Sequence, residues 1–389
     1  MRKILPTPPS IMNDELEKII ESKGGLFVLD SEHTINTIQI FETINSIFDR
    51  LILEAEQELY KDKPRKISYG IIANTNFNAF AYASSQEEEK PFDFVGINIG
   101  TIFTLLDIFG RILSHPDNLT NVGNSSLEKA ERTYISYLST DVMKTQSMSC
   151  IPNCHIRNSY STNLMITALK FLFYHEITHL RNGHLEFIKE ELNYSYYQEA
   201  MDTGRKRLDP VIHQALEMDA DSGAILKVLN ESFKLMNLSP RDGVDLNILA
   251  VFNYSYLDIR ISTKTVVFST YILFRLFDFI EWNYFNQDKE THPQPPIRMF
   301  WLSCTIYEIF RIRPEYNYNA DTFISDATKI MLEAEITLGK IKNEEPDTRG
   351  IQSVVSTNLH LEYLNEVKKA WKDIRPQLEN YKRGGNLAD

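Results

Sequence analysis

"FLFYHEITHLRNGH", residues 171–184, sets two histidines four positions apart with a glutamate directly after the first. Residues four apart lie on one face of an α-helix, one turn up, so His175 and His179 can aim their imidazoles at a common point. Glu176 projects about 100° round the helix from His175, which lets it reach a water held by a metal without competing as a ligand. H-E-x-x-H on a helix therefore reads as a two-histidine metal clamp with a general base beside it. The competing interpretation is a pair of ordinary polar side chains on a helix surface. Against it, the His and Glu content of the chain gives roughly 0.01–0.02 chance matches at this length. The flanking Leu172, Phe173, Tyr174, Ile177 and Leu180 should also bury the helix, and a buried imidazole needs a metal or a hydrogen-bond partner.

A catalytic metal centre keeps three protein ligands and leaves one position open. His184 is not expected to be the third, because five residues past His179 a continuous helix turns it about 140° off the ligand face. Asn182, Gly183 and Leu185 also give the wrong register for H-E-x-x-H-x-x-G-x-x-H. The better source is "VIHQALEMDADSGAILKVL" (211–229), where His213, Glu217 and Asp221 stack at four-residue steps. Glu217 is the expected third ligand, completing His₂Glu. Asp221, one turn on, can accept the free ring N–H of a ligand histidine and fix its tautomer. His213 could stand behind Glu217. The alternative for this stretch is a solvated acidic face, although Ala220, Gly223 and Ala224 suit close helix packing.

With HEITH (175–179) and EMDAD (217–221) in this order, the chain resembles the gluzincin metallopeptidases of the CAAX-prenyl-protease and HtpX type, whose signature is H-E-x-x-H followed by E-x-x-x-D on a later helix. Further pieces match in sequence order: "NAFA" (78–81), "GINIGTI" (96–102) and "THPQPPIR" (291–298). The pieces span about residues 70 to 300. The membrane-spanning helices of many such peptidases have no counterpart here, and the N- and C-terminal thirds match nothing in the family, so the likeness is to a soluble branch, of which the phage-exclusion proteases are one type. The resemblance implies a zincin-like core, Zn2+ as cofactor and a protein or peptide substrate. It implies a cleft lined by the strand around Asn78, Ala79 and Phe80, to which an extended peptide adds as a further strand. It also brings forward His292 as the oxyanion donor, or as a gate on the metal, with Arg298 helping or holding the loop by a salt bridge.

The fold expected around this helix is α+β and mostly helical, with a small sheet. Ile35, Ile38, Phe41, Ile44, Phe48 and Leu51 recur at three- and four-residue steps and predict one long amphipathic helix over 34–60. Strand-like runs follow at 66–74, 77–84 and 92–100. The polar stretch 114–162, helical in pattern only at 126–138, reads as a surface excursion or lid. Apolar helical segments come near 163–193, 210–237, 262–287 and 297–311, with a last helix at 355–381. The organisation this suggests is an N-terminal part (1–60), a metallopeptidase core (61–312) and a helical C-terminal extension (313–389).

Composition narrows the partners. Of 389 residues 43% are hydrophobic, and 53 acidic against 41 basic side chains give a net charge of −12. That balance argues against a nucleic-acid or anionic-membrane surface. The most apolar later runs, 94–110 and 266–282, are interrupted by Asn98 and Asp107 or by Arg275 and Asp278, so neither supplies the roughly 20 apolar residues of a spanning helix. Three cysteines and an N-terminus without an apolar signal core suggest a reducing, cytoplasmic setting. Cys150, Cys154 and His155 lack a fourth ligand at recognisable spacing and read as free thiols. Two functions remain open: a zinc endopeptidase using Glu176 as base, and a metal-binding sensor or scaffold that does not hydrolyse anything. A small amide or a peptide C-terminus is a variant of the first.

Overall fold

Three short apolar runs form the body of the sheet, two of them buried at every residue. The computed structural model describes residues 12–29, 35–62, 65–85, 89–135, 150–192, 196–198, 209–237, 246–277, 292–356 and 359–388. Four strands, β1 (Lys66–Ile72), β2 (Ala79–Ala83), β3 (Phe92–Asn98) and β4 (Tyr196–Gln198), form one sheet in the order β1-β3-β2-β4. β1 runs parallel to β3, and β2 runs antiparallel to both β3 and β4. The helices are α1 (Asp14–Ser22), α2 (Ile35–Glu54), α3 (Ile99–Ser114), α4 (His155–Arg181), α5 (His184–Leu192), α6 (Pro210–Met236), α7 (Leu246–Tyr256), α8 (Ile259–Phe277), α9 (Pro295–Ile312), α10 (Ala320–Lys342), α11 (Arg349–Ser356) and α12 (Leu359–Leu378). The protein is thus α+β and mostly helical, with a small sheet. No helix among the described residues is long and apolar enough to cross a membrane.

The chain divides into two compact units. The first comprises Met1–Thr101, Leu172–Gly223 and Glu366–Asp389; the second comprises Ile102–Phe171 and Ala224–Asn365. The stretch 313–389 is accordingly shared between them.

In the first unit, Ile72, Phe80, Tyr82, Phe92 and Phe94 project from one face of the sheet and pack with Leu16, Ile19 and Ile20 of α1. Asn13 starts that helix by accepting the Leu16 N–H at 2.9 Å, an N-cap bond. Period-two alternation puts Tyr69 on the other face. There it meets Phe48 of α2 and Phe173 of α4 edge-on, while Phe48 and Phe173 stack at 4.6 Å. The helix carrying H-E-x-x-H is therefore seated on the sheet face opposite α1. Arg383, 1% exposed, clamps Asp93 of β3 with contacts of 2.6 and 3.1 Å and reaches Glu186 of α5 at 2.5 Å. Removing Arg383 would leave Arg65, 3.4 Å from Asp93 and 3.2 Å from Glu186, as the one remaining cation of this cluster for the two carboxylates. We expect Arg383→Met to lower unfolding stability by about 3 kcal/mol, read from urea denaturation; an unchanged midpoint would contradict this contact's role.

In the second unit, α8, α9 and α10 pack against one another. Tyr271 of α8 donates to Glu335 of α10 at 2.6 Å, and Arg275 lies 2.8 Å from the same carboxylate.

Several boundaries move from their sequence expectation. The helix expected over 34–60 is α-helical to Glu54 and continues as a π-helical turn over Ala55–Leu59. The helix expected from 163 begins at His155, eight residues earlier and inside the supposed polar excursion, and it stops at Arg181 before α5 begins. Arg157 explains the difference. Its guanidinium is fully buried and donates to the carbonyls of Leu113, His115, Asn118, Leu119 and Val122. The loop after α3 is thereby tied to α4 and is not a free lid. Only short 3-10 turns, Ser125–Leu127 and Ala130–Arg132, occupy the described part of the helix expected over 126–138. Residues 136–149 and the 278–287 end of another expected helix lie outside the described residues.

Candidate metal centre

Two helix segments of the first unit build the centre, the part of α4 from Leu172 and the part of α6 up to Gly223. Leu172, Phe173, Tyr174, Ile177 and Leu180 of α4 are each at most 2% exposed, so the turn bearing both histidines is fully enclosed. α6 comes alongside at Gly223, where an added Cβ would stand 2.6 Å from the Thr178 methyl. Only a glycine permits that approach. It brings Glu217, three residues after Gln214 on the buried side of α6, against the imidazole pair.

His175 Nε2 and His179 Nε2 lie 3.0 Å apart. Glu217 places Oε2 3.2 Å from the first and Oε1 3.4 Å from the second. All three side chains are no more than 1% exposed. A tetrahedral ion bonded to nitrogen and oxygen at about 2.0–2.2 Å spaces neighbouring ligand atoms about 3.3–3.5 Å apart, so these residues fit a zinc-sized ion with small adjustments. No other His, Cys, Asp and Glu group of this kind occurs among the described residues.

The surroundings add negative charge. Asp221 Oδ1 is 2.8 Å from His175 Nδ1, and a carboxylate there takes the ring N–H, leaving the Nε2 lone pair directed at the cluster. Glu176, Asp219 and Asp221 are buried with Glu217 at 4% exposure or less. Burying that many carboxylates is costly unless cations offset them. Without a metal, a proton serves: burial opposes charge on His175, but hydrogen bonds with Asp221 and Glu217 outweigh it and hold its pKa well above the ordinary 6.5. His179 goes the other way, because burial drives its pKa far down despite the Glu217 charge. A metal ion taken up by this cluster at pH 7 would therefore displace about one proton per chain. Calorimetry in buffers of different ionisation enthalpy measures this, and equal apparent enthalpies would contradict it.

The other residues singled out in the sequence fall in different places. His213 is one turn before Glu217, with Nδ1 4.0 Å from Glu217 Oε1. Asn78 turns its backbone groups and Oδ1 to the chain: its N–H donates to Thr101 Oγ1 at 2.8 Å, its Oδ1 accepts the Ala79 N–H at 2.8 Å, and its carbonyl accepts the Asn98 N–H at 3.1 Å. Ala79 and Phe80 are 1% and 2% exposed. Phe80 faces α1, away from α4, and lies so close over Gly96 that a Cβ there would come within 2.2 Å of its ring. β2 pairs with β3 on one side and, along Phe80–Tyr82, with β4 on the other. Along Phe80–Tyr82 that edge is already occupied by β4, and Phe80 is a core residue. His292 and Arg298 belong to the second unit, where the Arg298 guanidinium covers the Phe274 ring at 4.2 Å. Cys150 and Cys154 are buried free thiols.

Two residues were not found from the sequence. His184, fully buried, places Nδ1 3.0 Å from His179 Nδ1 and Nε2 3.1 Å from Asp219 Oδ2. The signal was the Asn182-Gly183 dipeptide, which ends α4 with Gly183 at φ +76° and cancels the helical phase that would have turned His184 away. Asp219 falls midway between Glu217 and Asp221, off their four-residue step, and nothing in its spacing marks it. No protein-family model, curated protein or solved structure matches the chain.

Proposed function

We propose that the chain is a zinc-dependent endopeptidase of gluzincin type, acting in the cytoplasm on a protein or peptide. The observation that supports this best is the convergence of His175 Nε2, His179 Nε2 and the Glu217 carboxylate within 3.0–3.4 Å of one another, with a buried glutamate next in sequence to the first. His175, His179 and Glu217 would hold the ion, and three protein ligands leave room for a reactant where a structural site would close with four. Zinc in such a site lowers the pKa of water toward neutrality and polarises a carbonyl. Glu176 accepts the proton of the attacking water and returns it to the leaving amine. Asp221 holds His175 in the tautomer and orientation that ligation needs.

A non-hydrolytic metal-binding module is the second reading, and one observation favours it. His175, Glu176, His179 and Glu217 are each no more than 1% exposed, a closure that suits an enclosed structural ion better than a centre that must meet a protein chain. Incubating zinc-loaded chain with an unstructured protein separates the two. The endopeptidase reading expects internal cleavage that a chelator stops and zinc restores; intact substrate alongside tightly bound zinc supports the module.

A further inference from the structure

The two ligand histidines are supported differently. His175 turns its Nδ1 directly to a carboxylate, Asp221. His179 turns its Nδ1 to another imidazole, His184, whose far nitrogen meets Asp219. We propose that His184 is a positioning residue that sets the tautomer and ring orientation of His179, with Asp219 as the fixed end of the relay. This rests on the metal-centre reading above and extends it to the residues behind the ligands.

Proton counting carries the inference. The Asp219 carboxylate can only accept, so a hydrogen is favoured on His184 Nε2, which lies 3.1 Å from Asp219 Oδ2 without the alignment of a full hydrogen bond. A neutral His184 then has a bare Nδ1, which can only accept. His179 must therefore present Nδ1–H to His184, and its Nε2 is left with a lone pair aimed at Glu217 and His175. Any break in this order lets the His179 hydrogen move to Nε2, where it blocks ligation. The ring planes of His179 and His184 stand at 78° with centroids 5.0 Å apart, an edge contact and not a stack.

Asp219 is itself held from two sides. Its Oδ2 accepts from Asn182 Nδ2, and its Oδ1 accepts the Ala388 N–H at 3.2 Å. The tail that supplies this amide is anchored on the same turn. The Arg383 N–H donates to the Arg181 carbonyl at 2.7 Å, and Tyr381 lies against Gly183, where any Cβ would come within 2.3 Å of the Tyr381 Cβ. The Asn182-Gly183 turn, Asp219 and residues 381–388 thus form one packed support behind the His184 ring.

The test uses the full chain with zinc alone as ligand. An asparagine at 184 can set its Oδ1 near the place of the imidazole Nδ1 and still accept from His179; a phenylalanine cannot. Zinc affinity measured by competition with a chelator should fall ten- to a hundredfold in His184→Phe and stay within about threefold of wild type in His184→Asn. Equal affinity of His184→Phe and wild type, or an equal loss in both variants, would overturn the proposal. Should His184→Phe fail to fold, histidine-selective ¹⁵N NMR of the zinc-loaded wild type decides: hydrogen on Nδ1 of His179 and on Nε2 of His184 is expected, and hydrogen on Nδ1 of His184 would overturn the relay. Wild-type chain that binds no zinc sinks the metal-centre reading, and this inference with it. Tight wild-type binding unaffected by His184→Phe sinks this inference alone.

Discussion

Replacing Glu176 with glutamine is expected to leave zinc bound at about one ion per chain while cleavage of an unstructured protein falls by about 10²–10⁴-fold in kcat/KM, the usual span of a lost general base. The substitution removes one proton-accepting oxygen and keeps the volume, which matters because the side chain is 1% exposed inside a close-packed helix. Glutamine cannot take a proton from water at neutral pH. Its position about 100° round the helix from His175 keeps it out of the ligand set, so metal content should not change. Loss of zinc together with loss of activity would recast Glu176 as a ligand or as a structural residue. Retained cleavage would remove the proposed base altogether.

Glu217→Ala should have the opposite signature. The carboxylate supplies the one negative charge among the three converging atoms and lies 3.2 and 3.4 Å from the two imidazole nitrogens. Losing a residue that only supports a ligand costs about 10–100-fold in affinity, so losing a ligand should cost more than about 100-fold. The consequence is visible in stability as well. At a free zinc concentration of about one hundred times the dissociation constant, binding adds about 2.7 kcal/mol to the folded wild type. Glu217→Ala at the same zinc concentration should gain almost none of it. Thermal unfolding with and without zinc measures both, and a variant stabilised by zinc as strongly as wild type would mean that a different third residue holds the ion.

How much of this could be read from the chain alone depends on the range of the contact. His175, His179, Glu217 and Asp221 obey one local rule, four-residue stacking on a helix, and the structure sets all four in one cluster. The strand runs were visible for the same reason, since alternation at Ile67, Tyr69 and Ile71 is local. His184 stays outside the converging ligand atoms, as expected, but its place behind His179 was not legible because a single glycine at positive φ ended α4 and reset the phase on which the 140° estimate rested. Phe80, placed in a cleft by the resemblance, could not be assigned to a sheet face, because a period-two strand shows that it has two faces, not which of them meets α1. Arg157 hid the start of α4 inside a polar run, as nothing in the composition reveals that five carbonyls surround its guanidinium. Arg383 and Asp93 are 290 residues apart in sequence, beyond the reach of any periodicity. Short-range geometry gave the front of the centre; its support came from contacts between distant segments.

Anomalous diffraction at the zinc edge, from crystals of the full chain grown with zinc, tests the central claim most directly. One peak is expected about 2.0–2.2 Å from His175 Nε2, His179 Nε2 and a Glu217 oxygen. A strong peak held by other residues, or no peak at this cluster in crystals soaked with excess zinc, would contradict it.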